Sequence, residues 1–224
     1  IHLSTHQEGR AYVSVYRYRE NDFAPYVFYT NDYGANWRQL IDGENGIPAD
    51  HFVRVVREDP VREDLLFAGT EFGMYVSYDQ GRNWQPLQLN LPVTPITDMQ
   101  FAEDDLVVAT QGRSFWILDQ LGPLRLLNEE ALSQKAVLLP VPDAYRTQLR
   151  NYRGATAPDR APLGAQIDIY LSEEPGEDIR LAILDPEGVE RQVYTTSADR
   201  GEQERPLSLK MGLNRVSWGL SYER

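Results

Sequence analysis

The chain has no cysteine, which removes disulfides, thiolate nucleophiles and sulfur-ligated zinc. Histidine is scarce, with three in 224 residues. His2 and His6 carry the i, i+4 spacing of a metal pair, which converges only on a helix, and their surroundings read as a strand. His51 stands before an apolar strand-like run and reads as packing at its start. Long apolar runs are lacking too. The cleanest, Ala136 to Pro142, is broken by Pro140 and Pro142 and falls far short of the eighteen or so residues of a spanning helix, so membrane insertion is not expected. Basic residues are outnumbered 22 to 34, a formal charge of −12 that repels phosphate backbones and excludes nucleic acid as the expected partner. Nucleophile elbow, phosphate loop, dinucleotide fingerprint and zinc-protease motif are all missing, so no cofactor and no metal are expected.

What is present is a folded chain, 42% hydrophobic and 25% charged. It opens at Ile1 with no methionine or basic-then-apolar leader and reads as a piece of a longer protein.

Its strongest internal signal is a repeat. Thr30-Asn31-Asp32-Tyr33-Gly34-Ala35-Asn36-Trp37 returns as Ser77-Tyr78-Asp79-Gln80-Gly81-Arg82-Asn83-Trp84, with Asp, Gly, Asn and Trp all displaced by 47 positions. The residue types suit a tight turn between antiparallel strands: Asp and Ser/Thr side chains bond nearby backbone groups, and Gly accepts a positive φ. The Trp opens the next strand and is expected to anchor its sheet by burial.

A unit of this length holds four short strands, close to the 40–45 or so residues of a propeller blade. Strand-like runs fall at 1–5, 11–18, 25–30 and 37–41, then 52–58, 65–70, 74–78 and 84–89, then 96–102, 105–110, 114–119 and 124–127. Three blades cannot close a ring, so blades from elsewhere in a parent chain, or another copy of this one, are the expected partners.

After residue 128 the pattern changes. Asn128 caps a short helical turn, 135–142 reads as an extended exit, and 146–163 has the composition of a loop. Strand-like runs follow at 166–171, 179–184, 191–196, 205–209 and 214–220, with Asp185-Pro186-Glu187-Gly188 as a hairpin turn. Alternation at Ile167, Ile169 and Leu171 and at Val216, Trp218 and Leu220 predicts strands with one face in a core and one in water.

The motif Ser77-x-Asp79-x-Gly81-x-x-Trp84, with Thr30, Asp32, Gly34 and Trp37 as its second copy, resembles the Asp-box, or bacterial neuraminidase repeat. The strings from Asp50 to Pro60, Ala68 to Gly73 and Gly112 to Asp119 resemble the last blades of large bacterial glycosyl-hydrolase-like propellers related in architecture to sortilin. Gln111 stands where such proteins tend to carry histidine. Gly212 to Trp218 resembles the closing strand of immunoglobulin-like or fibronectin type III-like modules.

The resemblance implies an all-β chain. Residues 1–128 would be the last three blades of an Asp-box β-propeller, 129–162 a connector, and 163–224 a small β-sandwich of immunoglobulin or fibronectin type III kind. It further implies export and a non-catalytic structural or binding role toward a glycan or a protein. The alternative is part of a sialidase-like or xyloglucanase-like glycoside hydrolase whose catalytic residues lie elsewhere, because no catalytic set of either kind maps here. Arg113, on a loop after a strand, is the candidate ligand contact, and Tyr33, Tyr78 and Tyr152 are rings placed where a sugar could stack. Glu58-Asp59, Glu63-Asp64 and Glu103-Asp104-Asp105 read as solvated hairpin tips.

Overall fold

A computed structural model describes residues 1–146 and 163–221. It is all-β apart from short helical segments and divides into two compact units, Ile1–Arg125 and Leu126–Arg224. No helix among the described residues is long and apolar enough to cross a membrane.

In the first unit the apolar runs pair with their sequence neighbours. β1 (His2–Leu3), β2 (Ala11–Arg17), β3 (Asp22–Thr30) and β4 (Arg38–Gln39) form one antiparallel sheet in chain order. β5 (Val53–Glu58), β6 (Leu66–Thr70), β7 (Met74–Ser77) and β8 (Gln85–Pro86) form a second, and β9 (Ile96–Ala102), β10 (Asp105–Thr110) and β11 (Phe115–Leu118) a third.

The sheets stack face to face. Tyr12, Val27 and Tyr29 of the first meet Val53, Val56, Leu66 and Tyr75 of the second. On the opposite face of the second sheet, Val55, Phe67, Met74 and Val76 meet Ile96, Met99, Leu106 and Val108 of the third. Burial on both faces explains why β6 is buried at all five positions rather than alternating. The far faces of the first and third sheets stay open: Phe115 and Ile117 on the third and Leu3 and Val15 on the first are exposed.

A fourth strand at 124–127 is not formed. Residues 124–126 belong instead to α1 (Gly122–Leu126). Pro123 sets a helical φ at the start, the Leu121 carbonyl accepts the Arg125 N–H at 3.0 Å, and the Arg125 side chain reaches Asp59 and Asp104. Glu58 and Asp59 also differ from the solvated tips expected of them, being 2% and 0% exposed. Glu58 accepts hydrogen bonds from Arg10 at 3.1 Å and from the Tyr12 hydroxyl at 2.9 Å, and burial together with that carboxylate pushes the Tyr12 phenol upward.

In the second unit, α2 (Glu129–Ser133) starts at Asn128, whose Oδ1 accepts the Ala131 N–H at 2.9 Å. β12 (Ala136–Leu138), β13 (Ala165–Leu171) and β17 (Gly212–Trp218) form one three-stranded sheet, with β13 central. β14 (Arg180–Leu184), β15 (Glu190–Thr195) and β16 (Glu204–Pro206) form the other, with β16 parallel to β15.

Ile167, Ile169 and Leu171 pack with Ile179, Leu181, Ile183, Leu209, Val216 and Trp218 in a core shared by both sheets. The Asp185 hairpin forms as its sequence requires: Asp185 Oδ1 accepts the Val189 N–H at 2.8 Å, and Gly188 takes φ +80°. β13 departs from simple alternation because its polar face is covered too. Asp168 binds Arg215 through two bonds of 2.8 and 3.0 Å, and Gln166 accepts the Ser217 hydroxyl at 2.6 Å. The predicted loop carrying Arg150, Tyr152, Arg153 and Arg160 lies, apart from its first residue, Arg146, and its last, Leu163, outside the described residues.

Candidate binding surface

The two repeated turns share one geometry. In the first, the Thr30 hydroxyl donates to Asp32 Oδ1 at 2.8 Å and accepts the Gly34 N–H at 3.0 Å, while Asp32 takes the Asn36 backbone N–H at 2.9 Å and its side-chain amide at 2.7 Å. In the second, Ser77, Gly81, Asp79 and Asn83 repeat these bonds at 2.8, 2.8, 2.9 and 2.6 Å. Tyr33-Gly34 and Gln80-Gly81 are both left-handed pairs, at φ +60°/+87° and +60°/+82°. Glycine at the second position removes the Cβ strain that conformation imposes.

The two indoles fare differently. Trp84 is 4% exposed, and its Nε1–H donates to the Gly81 carbonyl at 3.1 Å. Trp37 is 48% exposed. Each ring lies over the glycine of its own turn, but only at Gly81 does a side chain of another sheet, Leu40, close in from the far side. Trp37 sits at the open end of the stack, where no sheet among the described residues covers it.

These turns have an acid signature. Asn36 and Thr30 bonds hold the Asp32 carboxyl at about 2. Burial pushes Asp79 up, but bonds from Asn83 and Ser77 prevail and hold it below the usual carboxylate range. Both folded-state values are depressed, so the stability they contribute is present above the unfolded value of about 4 and is lost as pH falls through the folded-state values, that of Asp32 at about 2. The urea midpoint is expected to drop across that window, and Asp32→Asn and Asp79→Asn each to flatten the drop. Equal slopes in variants and parent would contradict the assignment.

Arg113 occupies the tip of the β10–β11 hairpin. Its N–H donates to Thr110 Oγ1 at 3.1 Å, its carbonyl accepts Trp116 Nε1–H at 2.8 Å, and its exposed side chain makes no ion pair among the described residues. Tyr33 is exposed on its turn, whereas Tyr78 is packed against the second core, where burial pushes its phenol up and the Arg62 guanidinium lies 5.3 Å from its ring. Tyr78 is therefore a packing ring. Among the described residues no group of three metal-ligating side chains gathers; His6 Nε2 meets the Asp59 carbonyl at 2.7 Å, and His51 Nδ1 meets the Tyr75 hydroxyl at 2.9 Å.

The hairpins joining β2 to β3 and β6 to β7 belong to one end of the stack, opposite the repeated turns, and build a surface that no single motif announces. Phe52, buried just ahead of β5, is its floor. Tyr18 stacks on Phe52 at 5.3 Å between centroids, Tyr16 stacks on Tyr18 at 5.7 Å, and Phe23 leans on Phe52 at 6.3 Å. Arg54 lies 5.2 Å from the Phe52 ring centre and donates to Glu71 at 2.7 Å. On the second sheet Phe72 packs on His51 at 4.5 Å. Tyr16, Phe23 and Phe72 remain 49%, 46% and 42% exposed.

Most charges around the rings satisfy one another: Arg17 binds Glu20 and Asp22, and Arg54 binds Glu71. What is left is a wet-edged aromatic surface carrying one guanidinium, Arg19, which lies 5.9 Å from the Tyr18 ring centre and makes no ion pair among the described residues.

No family model matches the chain, and no curated protein matches it. Among solved structures, it is similar to the GH74 xyloglucanase from Xanthomonas campestris at 15% identity and TM-score 0.40, over 52% of this chain and 20% of that one. It is similar to the GH74 enzyme of Niastella koreensis at 11% identity and TM-score 0.43, over 76% and 28%. It is also similar to YCF48, solved bound to D1 peptide, at 14% identity and TM-score 0.35, over 83% and 48%. The chain thus spans between a fifth and a half of the length of these neighbours.

Proposed function

We propose that residues 1–128 are three consecutive blades of an Asp-box β-propeller, that 163–224 form an immunoglobulin-like or fibronectin type III-like module, and that the first unit binds a neutral glycan without cleaving it. The observation that carries the binding role is the graded aromatic surface of Tyr16, Tyr18, Phe23 and Phe52, with Phe72 beside it. Half-exposed rings on a buried ring floor are preorganised, so a ligand orders little on binding them. Flat apolar faces ringed by polar groups match the alternating C–H and hydroxyl faces of a pyranose. The pairing of Arg17 and Arg54 with Glu20, Asp22 and Glu71 leaves few charges for an ionic ligand, and the overall charge of −12 disfavours an acidic one. Hydrolysis needs a free carboxyl pair across the bond, and the carboxylates around these rings, Glu20, Asp22 and Glu71, are each held by an arginine.

Titration of the whole chain with a panel of neutral oligosaccharides is expected to give saturable binding and no new reducing ends. A ring contact is worth about 0.5–1.5 kcal/mol. Tyr16→Ala and Phe23→Ala are therefore expected to weaken binding about three- to tenfold without moving the urea midpoint, while Tyr33→Ala, at the opposite end, leaves it unchanged. Binding insensitive to Tyr16 and Phe23, or no binding to any glycan of the panel, would overturn the proposal.

A further inference from the structure

The second repeated turn is gripped from outside by the loop that follows β4. Asp42 Oδ1 accepts the Glu44 and Asn45 N–H groups at 2.9 and 3.1 Å and so shapes that loop. Asn45 Nδ2 donates to the Leu40 carbonyl at 2.7 Å and reaches the Gly81 and Arg82 carbonyls at 3.3 Å each. The Asn45 carbonyl accepts the Trp84 N–H at 2.8 Å. Gly46, at φ +112°, passes so close that a Cβ there would stand 2.0 Å from the Trp84 carbonyl oxygen. The grip therefore has a readable code: an apolar residue, then Asp-x-x-Asn-Gly, with a carboxamide and a carbonyl as its two fingers.

The first turn presents the same set of groups. Its Thr30, Asp32 and Asn36 hydrogen bonds, its left-handed pair and the seat of its indole over Gly34 match the second, though the indole bond to the glycine carbonyl is made only at Trp84. Yet among the described residues the Trp37 N–H and the Gly34 and Ala35 carbonyls have no hydrogen-bond partner, and the Trp37 ring is 48% exposed. Behind it, the outer face of the first sheet carries Val13, Val15, Tyr26 and Phe28 in register, with Val15 exposed. The interface between the first and second sheets would continue there unchanged.

We infer that the turn at 30–37 is a docking socket for a further four-stranded sheet whose closing loop carries an apolar residue followed by Asp-x-x-Asn-Gly. The occupant's identity as a sheet rests on the blade reading; the loop code rests on the occupied copy at Trp84. A second copy of this chain offers no free loop of this kind, because its 42–46 segment already holds Trp84 and its third sheet is followed by α1. A separate sheet of the same repeat fits the socket.

The test places a duplicate of residues 1–50 ahead of Ile1 in the whole chain, so that the duplicate's Asp42–Gly46 loop meets the Trp37 turn. The Trp37 backbone N–H is expected to exchange at least about tenfold more slowly than in the parent, its indole to be shielded from acrylamide, and both effects to vanish when the duplicate's Asn45 is changed to Ala. Sheet stacking is read separately from the side-chain signals of Val13, Val15 and Phe28. If these shift while Asn45→Ala leaves Trp37 protected, the socket is overturned and the blade reading stands. If neither they nor Trp37 change, both fall.

A second measurement uses the parent chain as it is, with the free peptide of sequence 40–48 at about 10 mM, the range over which a tethered loop competes. Saturable shifts at the Trp37 N–H, absent with the Asn45→Ala peptide, are expected. Identical titrations with the two peptides would overturn the inference.

Discussion

Trp84→Ala is expected to destabilise the first unit by about 3–5 kcal/mol, and Trp37→Ala by only about 1 kcal/mol, though the two indoles close identical turns. Trp84 fills the seam between the first two sheets with Leu40, Ile41 and Ile47, and its removal leaves a cavity lined by residues that cannot follow it inward. It also frees the Gly81 carbonyl from the indole N–H. Trp37 leaves half its surface in water, so truncation forfeits roughly half of a burial term and opens no closed void. Urea unfolding of the two variants under one buffer measures both. Equal losses would mean that the indole stabilises through its own turn and not through the neighbouring sheet, and the argument for an open end of the stack would fall with it.

That asymmetry shows where the sequence stops being informative. The eight-residue motif specifies the turn, because the bonds that the Ser/Thr hydroxyl and the Asp carboxylate make within it run between residues no more than four apart, while its longer bonds, such as Tyr33 N–H to the Gly9 carbonyl and Gln80 N–H to the Asp64 carbonyl, are added by the fold. The fate of the indole is set by what lies across the seam, which no local pattern encodes. The same division explains the other departures. Strand pairing inside each sheet of the first unit is legible from apolar runs between glycines and acids, since each strand there pairs with its sequence neighbour, whereas in the second unit β13 pairs with the distant β17. Glu58-Asp59 carries the composition of a hairpin tip, yet its partners Arg10 and Arg125 are 48 and 66 residues away. The aromatic surface is assembled from Tyr16, Tyr18, Phe23, Phe52 and Phe72, which share no spacing, whereas local reading singles out Tyr33 and Tyr78, one solvated and one structural. Gly122-Pro123 is the signal that identifies α1 in place of a fourth strand, a helix start rather than a strand end.

The two ends of the stack differ in kind, and the difference bears on function. At the repeated turns, carboxylates are saturated by backbone and side-chain donors, and two consecutive left-handed residues leave little freedom. At the opposite end the hairpins are held by ring stacking and by single ion pairs at the surface, which individually are worth about 0–1 kcal/mol. Substitutions there alter the shape and chemistry of the surface at small cost to the sheets. The proposed binding role therefore belongs to the hairpin end, and the turns hold the sheets.

Asp59→Ala is the substitution expected to do most damage outside the cores, about 3–5 kcal/mol. Asp59 is wholly buried, and its Oδ1 accepts the Val61 and Arg62 N–H groups at 2.9 and 2.7 Å, shaping the β5–β6 loop. Arg125 Nε approaches both of its oxygens, at 3.1 and 3.0 Å, which holds α1 against that loop, and Arg125 Nη1 continues to Asp104 at 2.6 Å. Alanine leaves the guanidinium, itself 7% exposed, without its buried counter-charge and two backbone donors without their acceptor. Asp59→Asn keeps an acceptor for the loop and loses only the charge, so it is expected to fall between parent and alanine. Arg125→Met should cost less than Asp59→Ala, because Asp59 still has its two backbone donors. The double variant should be more stable than the sum of the singles by about 1–3 kcal/mol, the coupling of one buried pair. A strictly additive cycle, measured by urea unfolding, would show that α1 is held by Leu121 and Leu124 packing and by the Arg62 bonds to the Leu124 and Arg125 carbonyls, and that this ion pair is incidental.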